Sequence, residues 1–74
     1  MSEPIRARRE RFGCALKTLR ESMGESQAGA AAAIGMDRSY YAGVEAGRHS
    51  VTLDKLLTIA DHFKVSPASL LEQI

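Results

Sequence analysis

The chain has 74 residues, with ten Lys and Arg against nine Asp and Glu, for a formal net charge of +1. That length allows one small domain, residues 1–74, and a thin margin of stability, because so short a chain buries only about 60% of its unfolded surface. The small net charge excludes the strongly basic footprint that announces nucleic acid by charge alone. One cysteine, Cys14, excludes an intrachain disulfide framework, and no run approaches the ~20 apolar residues of a membrane span.

Five short helices are expected, with no period-two strand pattern between them. Ile5, Phe12, Leu16, Leu19 and Met23 fall at spacings of seven, four, three and four, which fit one helical face. Ser2 or Glu3 stands before Pro4, a residue suited to a first helical turn, and Gly24 suits a left-handed stop. The first helix is therefore expected over residues 4–23. Ser26 caps an alanine-rich second helix that Gly35 ends. Asp37 caps a third, Arg38 to Glu45, with Gly47 as its stop. Thr52 caps a fourth over Leu53 to Phe63, where Leu53, Leu56, Leu57, Ile59, Ala60 and Phe63 form a broad apolar face. Ser66-Pro67 opens a short fifth helix holding Leu70, Leu71 and Ile74.

The second and third helices, joined by a tight glycine-containing turn, read as a helix-turn-helix. Ala31 and Gly35 are small, which would let the second helix approach the third closely. Ile34, Met36, Tyr41 and Val44 then point inward. Arg38, Ser39, Ala42 and Gly43 are left at the start and outer face of the third helix, where a recognition helix meets a major groove.

At these positions the sequence resembles the helix-turn-helix family of Cro and the phage repressors, the Xre type. The resemblance rests on Phe12-Gly13, Leu16, Leu19-Arg20, Ser26-Gln27, Ala31, Gly35, Val44-Glu45 and Gly47. It continues through Thr52-Leu53, Leu56, Ile59-Ala60 and Val65-Ser66 to Leu70-Leu71, about residues 12–71. Within the family, Asp37-Arg38-Ser39-Tyr40 and the Gly43, Glu45, Gly47 spacing are similar to the small controller proteins of restriction–modification systems. The resemblance implies an all-α, five-helix repressor-like bundle that binds double-stranded DNA as a homodimer. Its departures are Ala28, Gly29 and Ala30, where acidic residues and a leucine are usual, and Tyr41, where a branched aliphatic is usual. A small Ala30 and a large Tyr41 can compensate in volume.

Carried over by position, Gln27 contacts phosphate and braces the third helix; the bland alternative is a solvated residue after an N-cap. Arg38 reads a base, since a guanidinium can give two parallel hydrogen bonds to guanine. Its alternative is a surface arginine paired with Asp37 or Glu45, or one touching only phosphate. Ser39 and Tyr40 donate to phosphate or a base edge. Ala42 and Gly43 allow close approach to the groove, and Arg48 and His49 flank it as phosphate contacts. The resemblance also pairs Arg20 with Glu45 as a structural ion pair, outside the DNA contacts.

Charge is unevenly spread. Arg6, Arg8, Arg9, Arg11, Lys17 and Arg20 against Glu3, Glu10 and Glu21 give residues 1–24 a net +3, while residues 25–50 and 51–74 each carry −1. The run Arg6-Arg8-Arg9-Arg11 is expected on a solvated face, with backbone contact to DNA as its alternative.

One recognition helix reads too little DNA for genomic specificity, and two copies on a two-fold axis with half-sites about 34 Å apart solve this. Phe63, Val65, Leu70, Leu71 and Ile74 look surplus to the core and are expected to form an isologous interface; the alternative is that they close the monomer core. No metal site, cofactor, enzymatic constellation, membrane contact or small-molecule effector is expected. His49 and His62 lack ligand spacing, and Cys14 reads as inert. No signal-peptide core follows the N-terminus, so a reducing, cytoplasmic setting is expected. The function implied is a sequence-specific transcriptional regulator on an inverted-repeat operator. Two rivals share the fold: a protein-interaction module with little DNA binding, and an antitoxin-like repressor with a protein partner.

Overall fold

Local capping chemistry divides the chain into five helices. The computed structural model describes residues 3–74. Within them lie α1 (Ile5–Ser22), α2 (Gln27–Ile34), α3 (Arg38–Glu45), α4 (Leu53–Phe63) and α5 (Pro67–Leu71), with no strand among the described residues. Four helices start on the expected caps. Ser26, Asp37, Thr52 and Ser66 each accept a hydrogen bond from the backbone N–H three residues on, filling one of the donors a helix start leaves open. Pro67 follows as the first residue of α5. Helix α1 differs from the expectation. Pro4 is itself the cap residue, no side chain caps the helix, and the helix ends at Ser22. Ser2, the other expected cap, lies outside the described residues.

Each helix packs against two others in a closed ring: α1 on α3, α3 on α2, α2 on α4, α4 on α5, and α5 back on α1. The core fills this ring. Leu16, Ala30, Ala31, Ile34, Tyr41, Val44, Leu56, Ile59, Ala60, Phe63 and Leu70 are buried, with Phe12, Leu19, Met36, Val51 and Val65 packed around them. Ala30 and Tyr41 are both wholly buried, so the small and the large departure share one core. Four residues of the expected apolar faces are not in the core. Ile5 is 65% exposed, Leu53 is 70% exposed, and Met23 and Leu57 are also exposed. Ile5, Met23 and Leu53 stand at the tips of helices, beyond the reach of the neighbouring elements. Phe63 and Leu70 are core residues of the monomer and Val65 is half-buried against it, so they are not an interface surplus.

Gly35 takes a positive φ of 79° and closes α2, while a Cβ there would meet nothing nearer than Lys55 Nζ at 3.8 Å. Its role is turn geometry, not the close helix approach expected of it. Close approach occurs at Gly13. A Cβ on Gly13 would overlap the carbonyl oxygen of Glu45 and stand 2.5 Å from that of Val44. The backbone of α1 thus rests directly on the end of α3. Helix propensity alone makes Gly13→Ala favourable by about 1 kcal/mol. Overpacking against backbone should reverse that sign and destabilise the protein by about 2–3 kcal/mol. Urea unfolding of the two proteins checks this, and an unchanged or higher midpoint would show that α1 and α3 can separate without cost.

Candidate nucleic-acid interface

The α2–α3 turn is short because both of its ends are fixed. Met36 N–H reaches back to the Ala31 carbonyl at 2.8 Å, Gly35 makes the left-handed bend, and Asp37 Oδ2 accepts from Tyr40 N–H at 3.1 Å. Lys55 Nζ, from α4, donates to the Ile34 and Gly35 carbonyls at 3.3 Å each, a cation on the negative end of α2. Tyr41, Val44 and Glu45 turn into the protein, while Arg38 and Ser39 are exposed at the start of α3.

What fixes α3 is a polar cluster beneath it. Arg20 donates to Glu45 through Nε at 2.7 Å and through Nη2 at 3.1 Å, and its Nη1 donates to the Glu25 carbonyl at 2.8 Å. Gln27 Nε2 adds a third bond to Glu45, at 2.9 Å. Arg20 and Glu45 are both buried, each 9% exposed, as the expected ion pair. Burial pushes the Glu45 carboxyl up, but the bonds from Arg20 and Gln27 outweigh it and hold the group below its ordinary range. The carboxylate likewise raises the Arg20 pKa. The Tyr41 hydroxyl is buried beside the pair without a well-formed hydrogen bond, and burial is the main cause of its raised pKa.

Among the described residues Arg38 has no hydrogen bond or ion pair. Of the two carboxylates that could have held it, Glu45 is buried and bound to Arg20 and Gln27, and Asp37 caps α3 through Oδ2 without pairing with Arg38. Gln27 is half-buried, and its amide nitrogen braces α3 as expected. Arg48 and His49 are exposed in the loop after α3. Two expectations need correction. The Tyr40 hydroxyl donates to the Ser50 carbonyl at 2.6 Å, so its proton is not available to phosphate or base. Gly43 is buried, not open to a groove, because the His49 ring covers it. Ala42 is half-buried.

The basic run on α1 is largely tied into the protein. Arg6 pairs with Glu10 at 3.4 Å and Arg11 with Glu3 at 2.7 Å, while Arg9 Nε donates to the Gly47 carbonyl at 3.1 Å. The arginine at the second of these pairs, and Glu3 with it, remain well exposed, and the carboxyl is held below its usual range by the hydrogen bond from Arg11. Sequence reasoning missed the Arg9 tether and the His62–Glu25 contact at 2.9 Å, which links residues 37 apart. It also missed Lys55, although a lysine is a natural partner for helix-end carbonyls. No group of three His, Cys, Asp or Glu among the described residues could hold a metal ion, and no described helix is long and apolar enough to cross a membrane.

A family model described as a helix-turn-helix domain matches residues 11–73. No curated protein matches the chain. Among solved structures, the restriction-modification controller protein C.AhdI from Aeromonas hydrophila is similar at a TM-score of 0.82 and 39% identity, covering 86% of this chain and 97% of its own. The clp gene regulator ClgR from Corynebacterium glutamicum is similar at a TM-score of 0.84 and 28% identity, over 97% of this chain and 74% of its own. A second ClgR structure gives the same score and identity with 90% of its chain covered.

The depressed Glu45 pKa makes the cluster sensitive to acid. A carboxylate favoured by folding contributes its full stability above the unfolded pKa, near the ordinary 4.5, and loses it as pH falls through the folded value. Glu45→Gln leaves Arg20 buried without a counter-charge and should cost about 3 kcal/mol at pH 7. The gap should close as the pH drops below that range, because acid neutralises Glu45 in the parent protein too. Urea melts of both proteins from pH 7 to pH 3 test this; a gap independent of pH would contradict it.

Proposed function

The chain belongs to the helix-turn-helix domain family, and from that premise we propose that it is a sequence-specific DNA-binding transcriptional regulator that acts as a homodimer on an inverted-repeat operator. One observation carries the reading: Arg38, exposed at the start of α3, has no internal side-chain partner among the described residues, with Glu45 bound to Arg20 and Asp37 serving as the cap. A free guanidinium at the start of a recognition helix suits the O6 and N7 acceptors of guanine. In this reading Ser39 contacts DNA beside it. Gln27, at the positive end of α2, offers the second N–H of its amide and its backbone N–H to the phosphate region, where free N–H groups favour an anion. Arg48 contributes phosphate affinity from the loop, and Ala42 keeps the helix close to the groove. The likeness to a restriction-modification controller and to a clp gene regulator supports regulation of transcription.

The dimer face proposed here differs from the one expected at first. Leu71 and Ile74 stay exposed at the C-terminal end, and α4 adds Leu53 and Leu57, one turn apart. Leu53 and Leu57 stand on the α4 flank away from Lys55, which meets the end of α2, and His62, which meets Glu25 in the turn before α2. With Leu71 and Ile74 they offer apolar surface for a second copy on a two-fold axis.

Two predictions separate these roles. Arg38→Ala should cost about 1–3 kcal/mol on the best duplex and relax one base position per half-site. Arg48→Ala should weaken all duplexes alike and make the salt dependence of a dimer shallower by about 2 in log–log slope. Duplex selection followed by titration across salt concentrations measures both, and identical behaviour of the two variants would sink the division of roles. A wild-type protein that enriches no duplex would instead favour a protein-interaction module. For the dimer, Leu57→Asp with Leu71→Asp should leave a folded monomer in equilibrium sedimentation; an unchanged dimer mass would place the interface elsewhere.

A further inference from the structure

Helical geometry gives α3 an outward face opposite its buried residues. With Tyr41, Val44 and Glu45 inside, steps of about 100° per residue place Ser39 and Gly43 on the far side. Ser39 is exposed there, yet Gly43 is buried. The imidazole of His49 covers it. A Cβ on Gly43 would overlap His49 Cδ2 and stand 2.8 Å from Nε2 and 3.2 Å from Cγ. The glycine is therefore the space in which the ring lies, and a side chain from the loop occupies the place of a side chain from the helix.

The ring is held there. It stacks on Tyr40 with centroids 4.5 Å apart and planes 7° from parallel. Tyr40 is in turn anchored by its hydroxyl bond to the Ser50 carbonyl at 2.6 Å. The loop folds back because the Arg48 and His49 N–H groups both reach the Gly43 carbonyl, at 2.8 and 3.4 Å. The Cδ2 edge rests on α3, so the opposite edge, with Nδ1, faces away from the helix. No described residue hydrogen-bonds either ring nitrogen, and His49 remains exposed.

We infer that His49 is a base-reading residue, not a phosphate contact: its imidazole, laid over Gly43 and stacked on Tyr40, presents a ring N–H to the acceptor edge of a guanine in the major groove. The inference rests on the DNA-binding reading above. A ring N–H can donate to guanine O6 or N7, and a ring fixed before binding loses little freedom when it makes that bond. Arg38 and His49 then read different base pairs of one half-site, the first from the start of α3 and the second from its middle.

The test uses the full chain, the duplex that wild-type protein selects from a random pool, and a panel of single-base-pair variants of it. His49→Ala should lose about tenfold discrimination at one base pair per half-site and keep the preference that Arg38 sets. Gly43→Ala should lose the same preference at the same base pair while leaving His49 in the sequence, because its methyl group displaces the ring. Ring-proton resonances of His49, shifted by the Tyr40 ring in the free wild-type protein, should move toward unstacked positions in Gly43→Ala. Thermal melts establish that each variant is folded; were Gly43→Ala to unfold, His49→Ala alone decides. A uniform loss of affinity across the panel in His49→Ala would overturn the inference in favour of a phosphate contact. Unchanged discrimination in either folded variant would overturn it as well. Failure of the wild-type protein to select any duplex would overturn the DNA-binding reading itself, a result distinct from the other two.

Discussion

The buried Arg20–Glu45 ion pair is the interaction on which the placement of α3 depends. Its two parallel bonds tie the middle of the chain to α1, the Gln27 amide adds α2, and the remaining Arg20 nitrogen holds the turn at Glu25. A pair this well removed from water adds little net stability over an apolar replacement, since desolvation offsets most of the attraction. Geometry is what it supplies. A fork of two hydrogen bonds accepts one angle and one register, whereas packed methyl groups allow sliding. The pair also requires α1 and α3 to come close. Gly13 permits that by placing no Cβ against the carbonyls of Val44 and Glu45. Attraction at one position and missing bulk at another are thus two parts of a single constraint.

The same economy sets the character of the proposed interface. Arg6, Arg9, Arg11, Arg20 and Lys55 are all engaged within the protein, half of the ten Lys and Arg. With a net charge of only +1 as well, the proposed interface would draw little on non-specific attraction to a polyanion, which scales with the phosphates neutralised. Discrimination must come from a few groups held in position. The structure provides such holding where it matters: the Asp37 cap fixes the start of α3, the ion pair keeps Glu45 beneath it, and the Arg38 guanidinium makes no internal bond among the described residues.

Much of the architecture was legible because it is written in local chemistry. Ser26, Asp37, Thr52 and Ser66 cap helices through bonds to residues three positions on, and Gly35 stops α2 through its own φ. Such signals need no knowledge of the rest of the chain. The failures have the opposite origin. Periodicity identifies the face of a helix but not how far its neighbours extend, so Ile5 and Leu53 were assigned to a core that stops short of them. Counting apolar residues cannot divide them between a monomer core and an interface, and Phe63 and Leu70 went to the core. The Arg20–Glu45 pair, 25 residues apart, was visible only through family resemblance. Gly43 shows both sides. The helical period placed it correctly on the outward face of α3, and only the loop that returns over it, carrying His49, could reveal that the face is not bare.

Weak charge attraction has a consequence for how such a regulator responds to its own concentration. A monomer with one recognition helix and few free cations holds DNA poorly, so under the proposed mechanism the dimer is the binding species. At low concentration the dimer population follows the square of the monomer concentration, and occupancy of an operator inherits that steepness by mass action. A more basic surface would blunt the response, because monomers would remain on DNA without a partner. Under the proposed mechanism, holding cations in internal bonds would instead keep single subunits off the duplex. The near-zero net charge, which at first argues against nucleic acid, is then part of what would make binding conditional on pairing.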